Sequence, residues 1–256
     1  VGPKFIDRFL WTSWDGPPDT IDFCVSFKDL LTSIRDELHA SSMTPENWLS
    51  LFVKVPLAVT AALDYQLETD GGNGSDRVFR WTIGLARSAF TGHAPAARCA
   101  LATQPTTPGD LLRRPVESKA DRYSWRASCP ALVRRLADKV LARGRPNLLL
   151  AGSHGSIRSG TLLSLYLGSR LYFLRLSRFK RRDPTPMVSR ADRQHLGYEA
   201  RRTRRVLVFE EDCMSGRSLY LLRQEARALF DNVVTAAILR SAQCNPRPDS
   251  CVTIVT

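Results

Sequence analysis

The sequence predicts an α/β fold, a mainly parallel sheet flanked by helices, preceded by a mostly helical N-terminal region. Three observations carry this. From Asn147 onward, short apolar runs alternate with amphipathic segments, the pattern of strands joined by crossover helices. The strongest run, Val206-Leu207-Val208-Phe209, leads through Glu210-Glu211-Asp212 and a Ser/Gly-containing turn into a second helical pattern at Leu219. Before residue 128, apolar residues recur instead at helical spacing, with no internal repeat and no catalytic motif.

Composition sets the outer bounds. A chain of 256 residues with 43% hydrophobic content can bury a sizeable core. Its six cysteines are scattered without zinc-site spacing, so reduced thiols are expected, with Cys244 and Cys251 the one pair near enough in sequence to stand apart. Lys and Arg number 37 against 25 Asp and Glu, a net charge of +12. That excess permits nucleic-acid or membrane-surface binding and equally suits a substrate with several phosphates. No run of eighteen apolar residues occurs and Val1-Gly2-Pro3-Lys4 does not read as a signal peptide, so a cytoplasmic protein with no membrane partner is the expectation.

Residues 1–127 read as a helical cap or accessory region, or as an oligomerisation element with room for a homodimer. Phe5 to Pro18 is an aromatic, turn-rich arm. Ser26 can cap a helix whose apolar face is Phe27, Leu30, Leu31, Ile34 and Leu38. Thr44-Pro45-Glu46 starts another, although Asn47 stands where a capping box wants Glu or Gln, and Pro56 is expected to interrupt or kink it. Gly71-Gly72-Asn73-Gly74 is the clearest flexible break. Helix resumes from Val78 to Phe90, and the proline-punctuated stretch from Ala94 to Glu117 reads as loop.

Residues 128–256 form the predicted α/β domain. Ser128 to Arg143 is amphipathic, and Gly144 follows where a C-cap belongs. A strand from Asn147 to Ala151 runs into Gly152-Ser153-His154-Gly155, then a helix to Leu167 and a strand from Arg170 to Leu176. The stretch to Arg204 is rich in arginine, broken by Pro184 and Pro186, and too poor in apolar residues to pack, so a mobile loop is expected. The acidic strand, a helix from Arg217 to Phe230, a strand from Asn232 to Leu239 and a tail from Asp249 complete the chain.

The chemistry is read at the acidic strand. Open parallel sheets bind ligands at the carboxyl ends of their strands, and a helix N-terminus favours an anion. Carboxylates just before a phosphate-sized loop can accept hydrogen bonds from a diol beside that phosphate, which is the layout of a ribose 5-phosphate. The Gly152–Gly155 turn lacks both the dinucleotide glycine spacing and a Walker ending, so NAD binding and nucleoside-triphosphate hydrolysis lose ground.

At these residues the sequence resembles the type I phosphoribosyltransferases, whose signature is four apolar residues, an acidic pair and a loop ending in Gly-x-Ser/Thr. The resemblance spans about Asn147 to Arg240. It implies that Glu210 and Glu211 hold the ribose hydroxyls of phosphoribosyl pyrophosphate (PRPP) and a Mg²⁺ ion, and that Met214, Ser215, Gly216, Arg217 and Ser218 wrap its 5-phosphate. Ser153, His154 and Gly155 match the pyrophosphate turn. Arg178, Lys180 and Arg181 fall where a basic hood loop meets the pyrophosphate, and His195 falls on that same flexible loop. The implied activity is PRPP-dependent pentosyl transfer to a small nitrogenous acceptor, a reaction of nucleotide metabolism. Glu211 stands where the family usually has Asp, Asp212 where it has an apolar residue, and His154 where many relatives have Arg. Purine-salvage relatives carry Asp at the position of Met214, which cannot exchange a proton, so a 6-oxopurine acceptor is disfavoured.

Two other classes fit parts of the pattern. A PRPP- or nucleotide-sensing regulator keeps the site without turnover, and Glu211 and His154 suit it. A basic nucleic-acid-binding protein uses the charge excess and predicts strongly salt-dependent binding, but leaves the carboxylates unexplained.

Overall fold

The computed structural model describes residues 23–118, 122–177 and 182–255. The chain divides into two compact units, with the division between Arg122 and Tyr123. The Phe5–Pro18 arm lies outside the described residues.

The first unit runs β1 (Phe23–Ser26), α1 (Phe27–His39), α2 (Pro45–Glu68), α3 (Ser75–Phe90), α4 (Ala94–Ala102), α5 (Gly109–Arg113) and β2 (Pro115–Ser118). Ser26 Oγ accepts the Asp29 N–H at 3.1 Å, and α1 buries Phe27, Leu30, Leu31, Ile34 and Leu38 as its spacing predicts. At the start of α2, Asn47 does complete a capping box, because its side-chain oxygen reaches the Thr44 N–H at 2.9 Å. Pro56 does not end α2, which is continuous. Packing on most sides outweighs the one lost hydrogen bond. This helix is long and apolar enough to cross a membrane, but 72% of its most apolar window is buried within the protein.

Two loop expectations are corrected here. Gly71 to Gly74 is a closed turn, with the Gly71 N–H donating to Gln66 O (2.8 Å) and the Ser75 hydroxyl to Gly72 O (2.7 Å). The stretch from Ala94 to Glu117 holds α4, α5 and β2. Pro95 sits in the first turn of α4, where it lacks no hydrogen bond, so it opens a helix instead of breaking one. Strand β2 pairs antiparallel with β1 in a small two-stranded sheet.

After α6 (Arg122–Ala127), the second unit continues with α7 (Pro130–Leu141), β3 (Leu148–Ser153), α8 (Ile157–Leu167), β4 (Arg170–Arg175), α9 (Arg190–Ala200), β5 (Val206–Cys213), α10 (Arg217–Arg227), β6 (Val233–Ser241) and β7 (Ser250–Val255). Five strands form one parallel sheet in the order β4-β3-β5-β6-β7. The expected tail is therefore an edge strand. Every residue of β3 is buried, as its unbroken apolar run requires. Asn147 joins the amino ends of three strands. Its N–H donates to Arg205 O, its carbonyl accepts from the Arg170 N–H, and its side-chain oxygen accepts the N–H groups of Arg204 and Arg205. On one face of the sheet, α8 approaches so closely that a Cβ on Gly160 would touch Ala151, Phe173 and Phe209.

The mobile loop expected between Leu176 and Arg204 is corrected in part, since it contains α9. Ser189 and Asp192 form a capping box, and the Tyr172 hydroxyl donates to the buried Asp192 carboxylate at 2.6 Å. Glu199, also buried, pairs with Arg170 at 3.0 Å. The helix thus packs through paired polar groups, which an apolar-content argument does not register. His195 lies on this helix with its ring stacked on Tyr172, centroids 4.4 Å apart, so it is not on a free loop. Arg178, Lys180 and Arg181 lie outside the described residues.

Candidate functional site

The strand order creates the site. From β3 the chain moves to one side to form β4, then crosses back to place β5 on the other side of β3. The reversal falls between β3 and β5, and in an open parallel sheet the crevice beyond the carboxyl ends at such a point is where ligands bind. The acidic strand and the Gly152–Gly155 turn therefore meet there.

Strand β5 does not stop before its carboxylates. Pairing with β6 continues through Glu210, Asp212 and Cys213, opposite Ala237, Leu239 and Arg240. Adjacent strand residues face opposite sides of a sheet. A Cβ on Gly152 would overlap Glu210 Oε1 and press on Leu222 of α10, whereas a Cβ on Gly155 would overlap Glu211 Oε1. Each carboxylate is thus seated on a different glycine of the turn, Glu210 on the α10 face and Glu211 where the turn enters α8. The Glu211 N–H donates to Ser156 Oγ, a fully buried hydroxyl, at 2.9 Å. The turn and the acidic strand are locked together through side chain and backbone.

Two polar atoms in this knot, Glu210 Oε1 and Ser153 Oγ, are buried with no hydrogen-bond partner among the described residues. Buried polar atoms ordinarily find partners, so an acceptor and a donor at a sheet's carboxyl edge make this a candidate ligand position. Burial first, then the charges of Glu211 and Asp212, hold the Glu210 carboxyl well above the usual carboxylate range. The unfolded chain then loses this proton near pH 4.3 while the folded chain keeps it, so stability falls as pH rises from there toward the folded pKa. Glu210→Gln is expected to be more stable than wild type at pH 7, with the gain shrinking on acidification by at most about 1.4 kcal/mol per pH unit and vanishing near pH 4. Urea unfolding across that range checks it; a pH-independent difference would contradict this origin.

Beyond Cys213, Met214 (50% exposed) and Ser215 lead to Gly216, which caps α10 in the left-handed region at φ 82°. The Arg217 N–H donates to Ser215 Oγ at 3.3 Å, and Ser218 stands in the first turn of α10. Gly216 packs directly on backbone: a Cβ there would lie 2.6 to 2.8 Å from Asn245 C, Asn245 O and Pro246 O. The Asn245 N–H donates to Ser215 O at 3.2 Å. His154 stands in the turn, joined to Ser153 by a cis peptide bond.

A hard cation fits this donor set only in part. Among the described residues no group of three or more His, Cys, Asp or Glu could hold a metal ion. Glu210 and Glu211 offer carboxylate oxygens, and one or two such ligands completed by substrate phosphates are usual for Mg²⁺.

Sequence reasoning brought Glu210, Glu211, Ser153, His154, Gly155 and the 214–218 loop to the same strand edge. It missed Gly152 and Ser156, whose roles depend on what crosses over them. It also missed two cations that the register places at the carboxyl edge: Arg175 opposite Ser153, paired with Asp183 at 3.3 Å, and Arg240 opposite Cys213. A strand ending in arginine after an apolar run was the available signal in both cases.

No protein-family model matches the chain, and a search of curated proteins finds no match. Solved structures similar to it include a purine phosphoribosyltransferase from Pyrococcus horikoshii Ot3, 18% identical, covering 50% of this chain and 83% of that one with a TM-score of 0.41. A xanthine-guanine-hypoxanthine phosphoribosyltransferase from Helicobacter pylori is 16% identical over 49% of this chain and 81% of that one, TM-score 0.38. The hypoxanthine phosphoribosyltransferase of Trypanosoma cruzi is 18% identical over 52% and 77%, TM-score 0.35. A likeness at this level concerns the fold of half the chain; what the site can bind follows from its own residues.

Proposed function

We propose that this chain binds PRPP at the carboxyl edge of β3 and β5 and transfers its phosphoribosyl group to a nitrogenous acceptor, releasing pyrophosphate. The observation that carries the reading is the seating of two strand-held carboxylates on the two glycines of one turn, beside a glycine-capped helix N-terminus. Diol, pyrophosphate and 5-phosphate each have a complementary feature within that one edge.

The roles follow from the chemistry. Glu210 and Glu211 hydrogen-bond and orient the ribose, and the Glu211 carboxylate favours positive charge on the ring as the bond from C1 to pyrophosphate breaks. Backbone N–H groups of the 214–218 loop and the start of α10 take the 5-phosphate. Ser153, His154 and Gly155 take the pyrophosphate, with Arg178, Lys180 and Arg181 as further candidates. Glu211, with Glu210 once it gives up its proton, would hold Mg²⁺, whose positive charge would offset that of the leaving group. Met214 offers no proton to an acceptor, which speaks against a 6-oxopurine.

Calorimetric titration of PRPP with Mg²⁺ into the full chain, followed by pyrophosphate release across bases and amines, tests the proposal. Binding with release for one acceptor identifies the substrate. Binding without release for any acceptor favours a sensor, and no binding ends the reading. Glu211→Gln is expected to weaken PRPP about tenfold or more, the loss of roughly 1.4 kcal/mol that a charge-assisted hydrogen bond supplies, while the unfolding midpoint stays close to wild type. Unchanged affinity would remove Glu211 from the site.

A further inference from the structure

Cys213 ends β5 and directly precedes the 214–218 loop, and Cys244 lies in the turn between β6 and β7. Both are buried, 3% and 2% exposed, and both are free thiols. Their sulfurs are 3.0 Å apart, within about 1 Å of a bonded separation. Cys251, the cysteine nearest to Cys244 in sequence on its C-terminal side, directs its sulfur at Ile238 O and Thr253 O. The segment beginning at Cys244 is also the wall behind the loop, through the Asn245 N–H to Ser215 O bond and the packing of Gly216 on Asn245 and Pro246.

We infer that Cys213 and Cys244 are an oxidisable pair whose disulfide couples redox state to the 214–218 loop and weakens its hold on a phosphate. The last clause rests on the reading of that loop as the PRPP phosphate site. With hydrogen peroxide as oxidant, one thiolate attacks a peroxide oxygen, the O–O bond breaks, and a sulfenic acid forms with hydroxide, which takes up the proton given up by that thiol and leaves as water. The other sulfur attacks the sulfenic sulfur, the S–S bond forms, the S–O bond breaks, and the departing hydroxide leaves as water with the second thiol proton. Each sulfur gives up one electron and the peroxide gains two.

Cys244 lies beside exposed Gln243 and Asn245, and Cys213 beside exposed Met214, so either sulfur can take the first step. The two sulfurs face each other at 3.0 Å, so the one left reduced is in place for the second step. Closing the bond draws Cys244 and Asn245 toward Cys213. Gly216 already touches the Asn245 backbone, so the loop must shift and its N–H groups leave their phosphate geometry.

The test treats the full chain with hydrogen peroxide and then with a dithiol, and reads three things in each state. Peptide mapping is expected to find a reversible 213–244 cross-link lighter by two hydrogens. Amide hydrogen exchange over residues 215–219 is expected to change with it. PRPP affinity with Mg²⁺ is expected to fall about fivefold or more on oxidation and return on reduction. Cys244→Ser and Cys244→Ala should lose all three responses while keeping the reduced affinity. A native chain that forms no such cross-link overturns the inference, as does a cross-link that changes neither exchange nor affinity. If the cross-link and the exchange response appear but PRPP binds in neither state, the coupled pair stands and the PRPP reading falls.

Discussion

Replacing Gly216 by alanine is expected to abolish measurable PRPP binding and to destabilise the second unit by about 2–4 kcal/mol, from a left-handed φ that disfavours a Cβ and an overpacked contact. At φ 82° the residue lies where only glycine is at ease. The added methyl group would also press on Asn245 C, Asn245 O and Pro246 O at 2.6 to 2.8 Å. Those are main-chain atoms, held in place by the Asn245 N–H to Ser215 O bond. Nothing there can rotate aside, so the loop itself must move and the first turn of α10 moves with it. Urea unfolding and PRPP calorimetry on the variant check both arms. Wild-type stability would show that the loop and its wall yield easily, and wild-type affinity would remove this loop from the phosphate site.

Gly155→Ala is expected to behave in the opposite manner, losing PRPP affinity by at least about tenfold while changing stability by less than about 1 kcal/mol. Here the new Cβ would overlap Glu211 Oε1, the tip of a rotatable side chain. The carboxylate can swing off its seat at little cost to the fold, but it then leaves the position from which it would address the ribose. Comparing the two variants separates the geometry of the site from the integrity of the chain. Should Gly155→Ala unfold the protein and Gly216→Ala leave it intact, the assignment of support and seat would be reversed.

Much of the α/β half was legible because its signals are contiguous. Val206 to Leu219 holds strand, carboxylates, loop and helix start within fourteen residues, and each part has a local cause. Helix α1 was legible for the same reason, from Ser26 and five apolar positions. The features that escaped depend on partners distant in sequence. Phe23–Ser26 and Pro115–Ser118 are four-residue segments that become strands only through each other. Helix α9 faces inward with Asp192 and Glu199, whose burial is tolerable because Tyr172 and Ser189 meet the first and Arg170 the second. The seats at Gly152 and Gly155 exist because β5 runs beside β3, and no spacing within the Gly152–Gly155 turn announces which side chain will lie across it. The expectation of reduced thiols holds, since all six cysteines are free, but spacing gave no sign that the sulfur facing Cys244 comes from the end of β5 and not from the nearest cysteine along the chain.

Asn147 has a consequence at the far end of the sheet. By accepting from Arg204 and Arg205 and bonding to the backbone of both neighbours, it sets the stagger of β5 against β3 at their first residues. A strand displaced by one residue would present every side chain to the opposite face. Glu211 would then take the place of Glu210 and Asp212 that of Glu211, or, slipped the other way, Phe209 and Glu210 would take those two places. An amide five residues upstream of the turn thus acts as an alignment mark, deciding which acid occupies which side of the crevice without approaching it.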